Sequence, residues 1–326
     1  MDKTEARIIF MGTPEFAVPS LVALVDKGFQ VVGVITAPDR PAGRGKILTQ
    51  SAIKQCALEL GLQVLQPENL KDPQFIEDLK QFRADLQIVV AFRMLPKNVW
   101  GMPLLGTFNL HASLLPHYRG AAPINHALIN GETTTGVTTF MLDQEIDTGK
   151  ILFQESVSIT PEDDAGSLHN KLMDIGSHLV VKTAEAILID AISPVSQSEI
   201  ENHIEEPKKA PKIFKSDCEI NWQLSGEEIH NFVRGLSPYP AAVSIIQKND
   251  GNQISVKIFK TRFVKSQHQL AIGSIDIEDK NNIRVAVKNG FVYIEELQQS
   301  GKKRMKADEF LRGTSDISNG FMSLSR

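Results

Sequence analysis

The densest run of chemically useful side chains is Thr107–Gly120, TFNLHASLLPHYRG, which follows a continuous apolar segment. Asn109 and His111 are two residues apart, so on an extended strand their side chains share a face and can address one substrate atom. That pairing suits acyl-type chemistry. When an amine attacks a carbonyl carbon, the oxygen gains negative charge, and an amide N–H together with an imidazolium can hold it by hydrogen bonds. A nearby carboxylate favours the protonated ring. Three acids compete for that place in FMLDQEIDTGKIL: Asp143, Glu145 and Asp147. The pattern points to Asp147, just before Thr148 and Gly149, but spacing does not choose among the three. Ordinary caps on a strand end and a turn would use the same residue types.

The elements that must position these groups alternate. RIIFM (7–11), QVVGVITA (30–37), QVLQP and LQIVVAF read as strands. SAIKQCALELG and DPQFIEDLKQF between them read as helices, the first closed by Gly61. A further strand runs through His111, a helix through INHALING, a strand through TGVTTFML and a long helix from about Ala165 to Ile189. Alternation with fully apolar strands predicts an α/β fold, a doubly wound, mostly parallel Rossmann-like sheet with ligands beyond the carboxyl ends of its strands. Residues 193–215 carry Pro, Ser and charge without periodicity and read as a linker. Five short strand-like runs follow, AAVSIIQ, ISVKIFKTRFV, AIGSIDI, IRVAVKN and FVYIEELQ, which predict a smaller β-barrel, OB-like, as a C-terminal domain. The expected organisation is a catalytic domain over 1–192, the linker, and a second domain over 216–326.

Composition bounds the rest. With 326 residues and 42% hydrophobic content the chain can fill two cores. No apolar run has the length of a membrane span and the first residues lack a signal-peptide pattern, so a cytoplasmic protein with no membrane partner is expected. Cys56 and Cys218 stand alone and predict reduced thiols, with no metal-ligand spacing anywhere. Residues 1–206 hold 16 Lys and Arg against 26 Asp and Glu, a net of −10, whereas residues 207–326 hold 19 against 13, a net of +6. A sign change of that size hints that the second half meets a polyanion.

FMGTPEFAVPSL, APDRPAGRGKILTQS, NLHASLLPHYRGAAPI and DTG, in this order, resemble the formyltransferases that use 10-formyltetrahydrofolate. PDRPAGRGK and the second domain bring the likeness closest to the enzymes acting on methionyl initiator tRNA. The resemblance covers nearly the whole chain. It implies that Asn109, His111 and Asp147 form the catalytic set, with 10-formyltetrahydrofolate as cosubstrate, no metal, and initiator methionyl-tRNA as partner. Ser113, Leu114, Leu115 and Pro116 are then implied to border the folate pocket, and Arg40, Arg44 and Lys46 to touch the tRNA acceptor stem. Lys208 and Lys209 would steer the tRNA backbone, as would Lys212, Lys215 and the run Lys302, Lys303, Arg304 and Lys306. A monomer is expected. One departure stands out: relatives carry Tyr-Gly before a Leu-Pro, and this chain has Phe92, Arg93, Met94, Leu95 and Pro96, so Arg93 either points to solvent or alters the pocket. A small-amine acceptor is the rival, but it would leave the basic second half and the 38–46 loop without a use.

Overall fold

A computed structural model of the chain describes residues 1–42, 47–203, 206–279, 281–314, 317 and 320–322. They form two compact units. One comprises Met1–Gly120, Thr134–Ser158 and His169–Lys209; the other comprises Ala121–Thr133, Ile159–Leu168 and Ala210–Arg326. These divisions fall elsewhere than residues 192 and 216, and residues 193–209 cluster with the first unit.

The first unit is built on a seven-stranded sheet. Its strands are β1 (Arg7–Gly12), β2 (Gln30–Ile35), β3 (Val64–Leu65), β4 (Leu86–Val90), β5 (Thr107–His111), β6 (Thr134–Met141) and β7 (Ile151–Ser158). The spatial order is β7-β6-β5-β4-β1-β2-β3. β1 pairs in parallel with β2 and β4, β2 with β3, and β4 with β5, while β6 and β7 are antiparallel additions. The doubly wound expectation therefore holds. Ile8, Ile9, Phe10 and Met11 on the central β1 are all fully buried, as a strand covered on both faces requires. β7 is absent from the sequence reading because its middle, Gln154–Ser156, is exposed and polar, which suits a sheet edge and hides the strand from an apolar-run criterion. The long helix is Ala165–Leu188.

The second unit holds β8 (Ala242–Gln247), β9 (Gln253–Lys265), β10 (Ile275–Glu278), β11 (Asn282–Val287), β12 (Gly290–Gln299), β13 (Met305–Lys306) and β14 (Phe321–Met322). The order β10-β11-β12-β9-β8-β14 nearly closes on itself. The Ile275 N–H donates to Gly320 O at 2.8 Å and the Met322 N–H to Gly273 O at 2.8 Å, so β14 touches the strand at the far end of the order. This is the anticipated antiparallel barrel. Its core includes Trp222, Ile229, Val233, Ile258, Val285, Ile294 and Phe310, with the indole Nε1–H donating to Ser244 Oγ at 2.9 Å. The helix Gly226–Leu236 supplies Ile229 and Val233. It starts at Ser225, whose Oγ accepts the Glu228 N–H while its own N–H donates to the Glu228 carboxylate. Both cysteines are free, as expected, and both are buried. Among the described residues no helix is long and apolar enough to cross a membrane.

Candidate active site

Asn109 and His111 stand at the carboxyl end of β5, opposite Phe140 and Thr138 of β6. Leu110 between them faces the other way and packs on Gly176 of the long helix, where a Cβ would lie 2.8 Å from its Cδ2. The strand alternation thus seals one face with an apolar contact and gives the other to two polar side chains. Asn109 is half-buried, and among the described residues none pairs with its amide. His111 is 7% exposed and lies edge-on to the Phe140 ring at 6.5 Å. Its Nε2 is 2.8 Å from Tyr118 O, and its Nδ1 is 3.9 Å from Asp147 Oδ2.

Of the three competing acids, Asp147 is the one turned to His111. Asp143 and Glu145 are exposed, and Asp143 Oδ1 caps its own turn, accepting the Glu145 N–H at 3.1 Å and the Thr148 hydroxyl at 2.9 Å. Asp147 has φ 56°, in the left-handed region that non-glycine residues rarely occupy. Its Oδ2 accepts the Gly120 N–H at 3.0 Å. Its backbone oxygen accepts Arg119 Nε at 3.1 Å and Gln197 Nε2 at 2.8 Å. Gly149 must be glycine, because a Cβ there would meet Met141 O at 1.7 Å. The D-T-G spacing is thus the chemistry of a turn pressed against β6.

The segment Ser113–Pro116 is held from below. Thr138 Oγ1 donates to Ser113 O at 2.6 Å and accepts the Leu115 N–H at 3.1 Å, while Gln154 Nε2 donates to Leu115 O at 2.8 Å. Ser113 and Leu115 are buried, and the Ser113 hydroxyl donates to His117 O at 2.7 Å, so their side chains shape the loop from inside. Leu114 is half-exposed and Pro116 is buried. His117 Nδ1 accepts the Lys208 N–H at 3.2 Å, and His126 Nε2 pairs with Pro211 O at 3.0 Å, both structural roles.

Of the implied tRNA-facing residues, Arg40, Lys208 and Lys209 are exposed, while Arg44 and Lys46 lie outside the described residues. The base of the Arg40 loop is anchored. Lys54 Nζ meets Asp39 Oδ2 at 2.6 Å and Gln66 Nε2 donates to Asp39 Oδ1 at 2.8 Å, and these bonds hold the Asp39 carboxyl below the usual range. Thr36 Oγ1 and Ser51 Oγ, on the two limbs, are 2.8 Å apart. Lys302, Lys303 and Lys306 are exposed, whereas Arg304 is paired to Glu296 at 2.6 Å and stacked over Phe259 at 4.5 Å. Lys212 lies over Phe214 at 5.4 Å.

Arg93 is tied to its neighbours rather than extended into solvent. Its guanidinium folds back onto the carbonyls of Pro67 and Glu68 and over the Phe92 ring, tying two loops together. Burial pushes its pKa down, with Arg40 adding to the effect. It lines a cavity of about 580 Å³ with Leu70, Met94 and Lys97, which shares no residue with Asn109, His111 or Asp147. Sequence reasoning overlooked Thr138, Gln154, Arg119 and Gln197. Arg119 lay within the quoted motif, but nothing local signals the other three.

Residues 6–184 match the family model described as Formyl transferase and residues 212–315 that of Formyl transferase, C-terminal domain. The chain is 53% identical over 313 residues to a Methionyl-tRNA formyltransferase of Bacteroides thetaiotaomicron, covering 96% of this chain and 97% of that protein. It is 47% identical to one of Porphyromonas gingivalis over 96% and 97% of the two chains. Among solved structures, an N-formyltransferase of Helicobacter canadensis in complex with folinic acid and dTDP-3-aminofucose aligns with a TM-score of 0.63 at 22% identity, over 90% of this chain and 99% of that one. HypX of Aquifex aeolicus in complex with tetrahydrofolic acid aligns with a TM-score of 0.62 at 16% identity, over 94% of this chain and 46% of that one. At those identities the two structures speak for the fold. With both family models matched in order and near-complete relatives at about half identity, the chain belongs to the formyl transferase family.

Proposed function

We propose that Asn109, His111 and Asp147 carry a formyl transfer from 10-formyltetrahydrofolate to the α-amino group of methionyl initiator tRNA. The reaction itself is that of the relatives that match this chain from end to end. The methionyl amine attacks the formyl carbon, forming the new C–N bond as the carbonyl electrons move to oxygen. The tetrahedral intermediate then collapses by breaking the bond to the folate nitrogen, which leaves with a proton as tetrahydrofolate.

The single observation that carries the residue assignment is the side-by-side placement of an unspent Asn109 amide and a His111 ring backed by Asp147. In this arrangement the Asn109 amide is the donor to the developing oxyanion that requires no rearrangement. His111 Nε2 has an acceptor in Tyr118 O at 2.8 Å, which suits hydrogen on that nitrogen, while Asp147 Oδ2 faces Nδ1 at 3.9 Å. Its Nε2–H adds a second donation when shared between Tyr118 O and the substrate. Asp147 orients that ring and helps move the proton lost by the amine.

Ser113–Pro116 forms the wall of the folate site, with half-exposed Leu114 as its contact side chain. Arg40, Arg44, Lys46, Lys208 and Lys209 meet tRNA phosphates, and the barrel unit serves as a tRNA-binding domain, in keeping with the +6 charge of residues 207–326. The enzyme works in the cytoplasm, where its tRNA substrate is charged, and as a monomer. Formyl-labelled 10-formyltetrahydrofolate offered together with charged initiator tRNA and with an amino sugar nucleotide tests the acceptor. Label is expected on the tRNA alone; label on the sugar would overturn the reading.

A further inference from the structure

We propose that Gln197 is a positioning residue for the transfer reaction, locking the backbone of the Asp147 turn with Arg119 as its partner. The proposal rests on the assignment of Asp147 to the reaction.

Gln197 lies in the stretch whose composition reads as a linker, yet it is 2% exposed. The chain around it is not a tether. Val195 exchanges both backbone hydrogen bonds with Ile151, at 2.8 and 2.9 Å, so the segment runs as a strap beside the first residue of β7. The helix Gln197–Glu201 begins two residues later, beneath the D-T-G turn.

Every hydrogen-bonding position of the Gln197 amide is used, and all of them serve the same two segments. Nε2 donates to Asp147 O at 2.8 Å and to Gly149 O at 2.8 Å. Oε1 accepts Arg119 Nε at 3.0 Å and Nη2 at 2.5 Å. The partners fix the orientation of the amide, since a flipped group would set N–H against the guanidinium and oxygen against two carbonyls. Arg119 closes the ring of contacts, with Nε also donating to Asp147 O at 3.1 Å and Nη2 to Glu201 Oε1 at 2.6 Å.

What this lock must hold is the left-handed conformation at Asp147, φ 56°. A non-glycine residue keeps such a conformation only where its surroundings over-determine it, and here a buried amide and a guanidinium converge on its carbonyl. The backbone angle sets where Oδ2 lies relative to His111 Nδ1, now 3.9 Å away. A displacement of about 1 Å at such a pair can cost about a hundredfold in rate.

The test uses the full-length enzyme with Gln197→Glu, which keeps an acceptor for Arg119 but removes both donations, and Gln197→Met, which keeps the volume alone. Arg119→Lys covers the case in which a Gln197 variant fails to fold. Each is assayed for formyl transfer with and without Asp147→Asn, beside thermal unfolding. The expected result for Gln197→Glu is a fall in kcat of about 10- to 100-fold. KM for both substrates should stay near wild type, the pH profile of kcat should be displaced, and adding the substitution to Asp147→Asn should cause little further decrease. A Gln197→Glu enzyme with wild-type kcat and pH profile would overturn the proposal while leaving Asp147 in place, as would a decrease that recurs in full on the Asp147→Asn background. Normal turnover by Asp147→Asn alone would instead remove the reading on which the proposal depends.

Discussion

His111 Nδ1 and Asp147 Oδ2 face each other at 3.9 Å, and the same carboxylate oxygen takes the Gly120 N–H at 3.0 Å. The separation is about 1 Å longer than a hydrogen bond, so the pair is pre-set but not closed. Catalytic contacts of this kind commonly tighten when substrate arrives. Gly120 keeps the carboxylate from wandering, and the strap around Gln197 keeps its backbone from relaxing.

The first expectation concerns Asn109. With no protein partner among the described residues for its amide, its removal costs the fold little and the oxyanion much. Asn109→Ala should lower kcat by about 10²- to 10³-fold, the usual cost of one oxyanion donor, with KM for the folate little changed. Steady-state kinetics check this. A rise in folate KM at full kcat would make Asn109 a binding residue.

Thr138 holds the Ser113–Pro116 loop, the proposed wall of the folate site. Thr138→Val removes a hydroxyl at 0% exposure that serves Ser113 O, the Leu115 N–H and Gln154. Denaturant unfolding should show a destabilisation of about 1–3 kcal/mol, the cost of leaving buried partners unpaired. Folate KM should rise while the tRNA KM does not. Unchanged stability would mean that the loop is held by other contacts.

Much of this architecture was legible in the sequence, and the reasons are local. RIIFM and LQIVV are uninterrupted apolar runs, and such runs announce strands buried on both faces. Asn109 and His111 sit two apart on β5, so their shared face followed from period alone. The helix Gly226–Leu236 was passed over although Ser225 and Glu228 spell its capping box. Gln197 had no signal at all. Its role exists only because Val195 pairs with Ile151, a tertiary contact that a Pro- and Ser-rich stretch does not advertise. The choice among Asp143, Glu145 and Asp147 likewise needed coordinates, since all three occupy one acidic turn.

Charge gives the third expectation. Lys208 and Lys209 are exposed, and each phosphate that a lysine no longer neutralises should flatten the slope of log affinity against log salt by about 0.7–0.9. Replacing both with Ala should therefore weaken tRNA binding and reduce that slope, with folate binding untouched. A salt titration with an unchanged slope would take these two lysines out of the interface.

His230 should make the barrel unit sensitive to acid. Burial pushes its pKa below the ordinary 6.5 and Arg234 one turn on pushes the same way, against weaker opposing effects of Thr261 and Glu295. In the unfolded chain the ring binds a proton near 6.5, whereas the folded ring stays neutral to lower pH. Its contribution to stability is therefore full above that value and is lost as pH falls toward the depressed folded pKa. The denaturant midpoint of the wild type should drop more steeply between pH 7.5 and 5 than that of His230→Gln. Parallel curves would remove His230 from the acid response.

The most direct test of the central claim is a double-mutant cycle on the single-turnover rate of formyl transfer to charged initiator tRNA, with His111→Ala, Asp147→Asn and the double variant. If the carboxylate acts through the ring, Asp147→Asn costs about 10² or more in a folded enzyme, and the double variant is scarcely slower than His111→Ala. If the two effects multiply in the double variant, or if Asp147→Asn turns over at nearly the wild-type rate, the 3.9 Å pair is a feature of the turn and not of the chemistry.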